Sequence, residues 1–150
     1  MIEINYQFID NQPSPELLEA LLELHYKVFS GQPREELIQE IIDVPQLLTI
    51  IAYQNQQMMG YKMGYRRKEG HFYSWLGCVA ENCRGQGIAS ELMKLQHEWC
   101  KNHGYHTIRT MTYNRWRSML ILNLKHGFNI VGLLADKAGE PKIILEKRIA

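Results

Sequence analysis

Trp75-Leu76-Gly77-Cys78-Val79-Ala80-Glu81-Asn82-Cys83-Arg84-Gly85-Gln86-Gly87-Ile88-Ala89-Ser90 is the stretch that decides the fold. An apolar run ends at Val79, a polar turn follows, and two glycines one residue apart lead into a helical pattern from Ile88. The order is strand, glycine-rich loop, helix N-terminus. Such a loop leaves backbone N–H groups without partners at the positive end of a helix dipole. Those groups suit phosphate. Glycine lets the backbone approach a ligand closely, and Arg84 adds a fixed positive charge.

Two familiar phosphate loops are excluded. No Gly-Lys-Ser/Thr follows, so this is not a Walker A sequence. A dinucleotide fingerprint needs Gly-x-Gly-x-x-Gly near the first strand and an acidic residue about 20 positions on. Here the pair lies mid-chain, the third position is Ser90, and the later region offers Thr107 and Arg109.

Outward from the loop, the chain reads as alternating short elements. Ile2, Ile4, Tyr6 and Phe8 alternate as on one face of a strand. Ser14 followed by Pro15 and Glu16 predicts a helix start, and apolar residues from Leu17 to Phe29 recur at helical spacing. His25 on that stripe reads as a satisfied core-edge histidine. A second helix is expected over 34–43, with its glutamates solvated. Leu47–Tyr53 is an apolar run of strand length, buried on both faces. Strands over 58–66 and 71–79 lead to the loop.

Ile88, Leu92, Leu95 and Trp99 then define the inner face of a helix ended by Gly104, with Lys94, His97, Glu98 and Lys101 opposite. A strand over 107–112, a helix over 116–125 stopped at His126-Gly127, and strands over 128–134 and 142–149 complete the order β-α-α-β-β-β-α-β-α-β-β. This is an α/β (α+β) domain of one unit, residues 1–150.

Composition bounds the function. Hydrophobic residues make up 45% and charged residues 22%, so the chain is globular. A net charge of +1 argues against nucleic acid as a partner, and Tyr65-Arg66-Arg67-Lys68 and Arg115-Trp116-Arg117 read as solvated surface. No apolar run reaches the ~18 residues of a membrane span, so no membrane partner is expected. There is no signal-peptide pattern. Three cysteines without C-x-x-C spacing fit a reduced, cytoplasmic setting. Six histidines without metal-site spacing predict no metal. Cys78, in an apolar run without a neighbouring base, reads as a buried residue rather than a nucleophile.

Arg84-Gly85-Gln86-Gly87-Ile88-Ala89 matches Arg/Gln-x-x-Gly-x-Gly/Ala, with Val79 five residues before it. It resembles the acetyl-CoA-binding motif of the GCN5-related N-acetyltransferase (GNAT) superfamily. Asn123-Leu-Lys-His-Gly127-Phe128 looks like the Gly-Phe ending after that family's last helix. The resemblance implies a GNAT-like fold: a central, mixed but mostly antiparallel seven-stranded sheet flanked by about four helices. It implies that the strands ending at Val79 and Asn114 splay apart. Acetyl-CoA would then pair its pantetheine arm with Cys78 and Val79. Its pyrophosphate would rest on Gly85, Gln86, Gly87, Ile88, Ala89 and Ser90, beside Arg84, with Asn114 and Asn123 as further contacts. Gly77 marks either a bulge that opens the strands or a close packing contact.

The implied reaction is direct transfer of acetyl from the thioester to a primary amine, of which only about 0.1% is neutral at pH 7 for an amine of pKa ~10. The oxyanion would want a backbone N–H, that of Val79. Here the sequence departs from the family. Asn123 stands where many relatives carry a Tyr acid, and Tyr73 where some carry a Glu base. These two are the candidate catalytic positions. Tyr73 and His71 share a strand face that either lines the acceptor side or simply packs. The competing reading is a non-catalytic acyl-CoA-binding or regulatory module. The acceptor is a small-molecule or peptide amine, and C-terminal edge strands offer a route to a homodimer.

Overall fold

The structure, a computed structural model, describes residues 3–150. Its elements are β1 (Asn5–Asp10), α1 (Pro15–Val28), α2 (Arg34–Asp43), β2 (Leu48–Gln54), β3 (Gln57–Lys68), β4 (His71–Val79), a 3-10 turn (Glu81–Cys83), α3 (Ile88–Asn102), β5 (Thr107–Tyr113), α4 (Arg117–Lys125), β6 (Asn129–Ala135) and β7 (Pro141–Arg148). The strands form one seven-stranded sheet in the order β1-β2-β3-β4-β5-β7-β6. Every pairing is antiparallel except β4 with β5.

Local chemistry explains the boundaries. Ser14 caps α1, its Oγ accepting from the Leu17 N–H at 3.2 Å, with Pro15 at the first helical position. Asn55 and Gln56 both have positive φ, 50° and 65°, and close the β2–β3 hairpin. His71–Val79 is a strand over the span expected.

Helices cover both sheet faces. On one, α1 and α2 pack Leu21, Leu22, Leu37 and Ile41 against Leu47, Ile51, Tyr61 and Met63. On the other, α3 and α4 pack Ile88, Leu92, Met93 and Leu120 against Leu48, Ile50, Phe72, Ile108 and Leu145. Leu47 through Ala52 are fully buried, as a strand covered on both sides requires. His25 is buried, with Nδ1 2.6 Å from the Tyr61 hydroxyl.

Three expectations change. The first strand runs 5–10 rather than 2–8; Ile2 lies outside the described residues. Tyr6 faces the α3 side and Ile9 the α1 side, while Phe8 is exposed, because an edge strand covered on both faces does not keep a single apolar side. His97 is buried, not solvated, and its neighbour Gln96 is buried with it. The inner face of α3 is wider than its apolar stripe because Phe128 packs on His97 at 5.3 Å between ring centroids. The far edge strand, β6, exposes Ile130, Val131, Leu133 and Leu134. No helix among the described residues is long and apolar enough to cross a membrane.

Candidate active site

β4 and β5 are in register for three pairs only: His71 with Thr107, Phe72 with Ile108 and Tyr73 with Arg109. The Thr110 hydroxyl then donates to the Ser74 carbonyl at 2.9 Å. Beyond that point the strands part. β5 stays with β7 as far as Tyr113, and β4 stays with β3 as far as Val79.

A bulge accompanies the parting. Gly64 pairs with Ser74 and Met63 with Leu76, which leaves Trp75 as the extra residue. Gly77 is not the bulge. It pairs in register with Lys62, and a Cβ there would meet the Tyr61 carbonyl oxygen at 3.1 Å and the Lys62 Cγ at 3.5 Å. Of the two readings for this glycine, close packing is the one observed.

The ladder decides which backbone groups face the gap. The Ala80 N–H donates to the Met59 carbonyl at 2.7 Å, and Cys78 stands opposite Tyr61. In an antiparallel pair, alternate residues turn their N–H and C=O groups inward. Cys78 and Ala80 therefore turn theirs toward β3, and Gly77 and Val79 turn theirs into the gap. The Val79 carbonyl accepts from Arg84 Nε at 3.4 Å. So Val79 presents its backbone to the opening, while the Cys78 side chain packs with Tyr61 on the α1–α2 face.

A pocket of about 50 Å³ lies in this opening, lined by Gly77, Cys78 and Val79 of β4, Tyr61 and Lys62 of β3, and residues of α3 and α4 that include Ala89 and Met119. One end of the opening is the glycine loop. Gly85 and Gly87 have φ of 82° and 78°, the left-handed region that glycine enters at no steric cost, and no atom lies within 4 Å of where their Cβ would be. Gly87 is the N-cap of α3 and supplies no side-chain cap. The first-turn N–H groups at Ile88, Ala89 and Ser90 thus lack a side-chain partner from the cap. Ser90 Oγ sits 2.8 Å from His126 Nε2, tying the first turn of α3 to the end of α4.

The other rim is aromatic. Arg115 lies over the rings of Tyr113 and Trp116, 4.4 and 4.7 Å from their centroids, and Trp116 packs on Phe29 at the end of α1. The Tyr113 hydroxyl donates to Asp136 at 3.1 Å, which fixes the β6–β7 turn to the end of β5. Backbone N–H groups of Glu140 and Ala138, together with Tyr113, hold the Asp136 carboxyl below the usual range.

The structure distributes the sequence-derived residues as follows. Val79, Arg84, Gly85, Gln86, Gly87, Ile88, Ala89 and Ser90 form one continuous edge of the gap. Asn114 is exposed at the end of β5, across that gap, its carbonyl accepting from Arg117 Nε at 3.3 Å. Asn123 is buried on α4, and its carbonyl accepts from the N–H groups of His126 and Phe128, both at 3.1 Å. Tyr73 packs edge-on against Tyr65 at 5.5 Å, and burial pushes its hydroxyl up to about 12. His71 packs against His106 at the end of β4 away from Val79, with 5.0 Å between ring centroids. Burial likewise raises the Cys78 thiol to about 12, which removes the thiolate a nucleophile would need. Among the described residues no group of three His, Cys, Asp or Glu side chains could hold a metal.

Residues 14–117 match the model of the acetyltransferase (GNAT) family. The chain belongs to that family. The match covers more than half the chain and contains the glycine loop. Solved GNAT-fold structures agree with it. The ribosomal-protein-S18-alanine N-acetyltransferase from Escherichia coli superposes with a TM-score of 0.81 at 14% identity, over 97% of this chain and 95% of that one. Ard1 from Thermoplasma volcanium gives 0.81 at 14% identity, over 97% and 98%. An aminoglycoside 6′-N-acetyltransferase complexed with coenzyme A gives 0.77 at 16%, over 96% and 97%. No curated protein matches the sequence. The seven-stranded mixed sheet and its four helices are the GNAT fold expected from the glycine loop and the element order.

Sequence reasoning missed Lys62, Trp75 and Thr110. Lys62 interrupts an apolar strand, which was a usable signal. The bulge at Trp75 has no signature in the residues themselves.

Proposed function

We propose that this GNAT-family protein is an acetyl-CoA-dependent N-acetyltransferase that passes an acetyl group to a primary amine by direct attack on the thioester. The observation that carries this reading is the gap between β4 and β5. It holds sheet-directed backbone groups at Gly77 and Val79 that no strand satisfies, and buried backbone groups need partners. A pantetheine arm brings amide donors and acceptors of the matching kind. The uncapped turn from Gly85 to Ser90 suits a pyrophosphate, and Arg84 makes that contact charge-assisted. A relative of the same fold complexed with coenzyme A supports the same co-substrate here.

The roles then follow from position. The Val79 N–H serves the oxyanion, and Asn123 and Asn114 serve as polar contacts from the α4 side and the β5 end. Tyr73 is no base at neutral pH, so the attacking amine must reach the site already neutral or pass its proton to water. The acceptor enters by the aromatic rim of Phe29, Tyr113 and Trp116. The structurally similar ribosomal-protein-S18-alanine and aminoglycoside 6′-N-acetyltransferases support a peptide or small-molecule amine in that place. We read residues 1–150 as one catalytic domain in a cytoplasmic setting, with β6 available for a homodimer.

A second reading has one specific observation in its favour: Asn123 and Tyr73 leave the two usual acid and base positions without a group that titrates near neutrality. It makes the protein an acyl-CoA-binding module without turnover. A thermal-melt titration with acetyl-CoA, with ATP and NAD as controls, tests the cofactor. Saturation at 100 times Kd stabilises by ~2.7 kcal/mol, a few degrees of Tm. Free-thiol release over an amine panel then separates the two readings. Steady release above hydrolysis supports the enzyme, and binding without release supports the module.

A further inference from the structure

Lys62 is the one charged side chain lining the pocket between β4 and β5. It comes from the middle of β3 and passes beside Gly77, where the missing Cβ leaves it room. It thus reaches the opening on the α3–α4 side, next to the backbone of Gly77 and Val79. Among the described residues it makes no salt bridge, and no Asp or Glu acts on its ammonium. Two histidines feel its charge, His97 from α3 and His126 from the end of α4, and both also feel Lys147 of β7. From β4 Gly77 stands opposite it, while the Cys78 thiol packs on the other sheet face beside Tyr61, and from β2 the residue beside it in register is Ile50.

An ammonium left without an anion in a partly buried, apolar pocket is costly unless its counter-charge arrives with a ligand. The phosphates of an acyl-CoA fall at the glycine loop. The anion that develops inside the gap is the sulfur, as the C–S bond breaks.

We propose that Lys62 donates the proton to the departing CoA sulfur, in the role that Asn123 cannot fill. This rests on the acetyltransferase reading above. The amine nitrogen forms its bond to the acyl carbon, and the C–S bond breaks with its electron pair on sulfur. A proton moves from Lys62 Nζ to that sulfur. The proton released from the acetylated nitrogen restores the ammonium, directly or through water. The sum is amine plus acyl-CoA giving amide plus CoA thiol. Burial supports the role by bringing the Lys62 ammonium down to about 8, a value suited to exchange with a thiol.

The test needs no acceptor. The thiol of CoA bound to the protein is titrated by its thiolate absorbance, on the unaltered chain and on Lys62→Met and Lys62→Arg. The expected result is a thiol that ionises at least one pH unit lower on the unaltered chain and on Lys62→Arg than on Lys62→Met, while CoA affinity below pH 7 changes less than about threefold. Equal thiol titration on all three overturns the proposal and leaves the acetyltransferase reading standing. If CoA binds none of them, that reading fails and takes this one with it. With an acceptor in hand, Lys62→Met and Lys62→Arg both lower kcat by about 100-fold, the low end for a lost general acid. KM for acetyl-CoA stays near that of the unaltered chain, and the fall in kcat above about pH 8 disappears. An unchanged kcat and pH profile in Lys62→Arg also overturns it. Lys62→Gln, of intermediate polarity, replaces Lys62→Met if the latter melts early.

Discussion

Lys147 donates from Nζ to Nδ1 of His97 across 3.0 Å, so His97 is held as the neutral imidazole at the junction of α3 and β7. Burial, then the nearby charges of Lys147 and Lys62, push His97 down to about 3. The unfolded histidine titrates near 6.5. Between those values the unfolded chain binds a proton that the native chain refuses, so stability is full above about pH 6.5 and falls as pH drops toward 3. The slope from this group is about 1.4 kcal/mol per pH unit. Urea midpoints measured from pH 7 to pH 4.5 should fall less steeply for His97→Gln than for the unaltered chain. His25, His71 and His126 are shifted the same way and leave a residual slope in both. Parallel slopes would show that His97 is not the group responsible.

Gly87→Glu should cost ~1–2 kcal/mol from the left-handed backbone alone, a few degrees of Tm. It should also place a carboxylate at the N-terminus of α3 where a pyrophosphate is expected. The measured outcome is a folded protein whose melting temperature no longer responds to acetyl-CoA. A normal acetyl-CoA shift in this variant would mean that the loop is not the phosphate site.

Gly77→Ala inserts a methyl group 3.1 Å from the Tyr61 carbonyl oxygen and 3.5 Å from the Lys62 Cγ. Overpacking of this kind costs ~1–3 kcal/mol. Denaturant unfolding should show that loss with an unchanged m-value, since the native surface is hardly altered. Full stability would mean that β3 and β4 yield more readily here than the contact distances imply.

Tyr73→Phe should leave the acidic limb of the kcat/KM profile in place and the rate within about threefold, because a hydroxyl raised to about 12 by burial does not act as a base near pH 7. Loss of that limb would restore Tyr73 to the chemistry.

Asn123→Ala removes a hydrogen-bonding group from α4 and no proton donor. Losing one such bond is worth ~0.5–1.5 kcal/mol, so KM for acetyl-CoA should rise roughly three- to tenfold with little change in the pH profile. A collapse of kcat at unchanged KM would instead make Asn123 a transition-state contact.

The sequence made the fold legible where local chemistry dominates. Ser14-Pro15 marks its helix start, Gly104 its helix end, and the pair Gly85 and Gly87 a loop whose φ values only glycine takes without cost. Leu47–Tyr53 announced a strand covered on both faces. What stayed hidden depends on neighbours far along the chain. His97 looked solvated because its cover comes from Phe128 and Lys147, 31 and 50 positions on. The edge strand's two-sided burial hid its register in the same way. Of the candidate site, the glycine loop at the start of α3 was legible because it is one contiguous segment. Which of Cys78 and Val79 offers its backbone depends on the pairing phase with β3, fixed by the Trp75 bulge. The place of Lys62 beside the opening depends on the parting of β4 from β5, which no local residue pattern encodes.

That parting divides the sheet into two plates. One is β1 to β4, the other β5, β7 and β6, and the hydrogen bonds described across the seam lie toward one end: three register pairs, the Thr110–Ser74 bond, and the His106 and Thr107 N–H groups donating to the Gly70 carbonyl at 2.9 and 3.2 Å. Side chains of both plates share one core, Phe72 and Leu48 on one with Ile108 and Leu145 on the other. Grease of that kind permits a small rocking motion that a continuous hydrogen-bonded ladder would forbid. A chain molecule laid into the seam adds the missing rungs and locks the two plates together. The same contacts that hold such a ligand would therefore stiffen the whole domain.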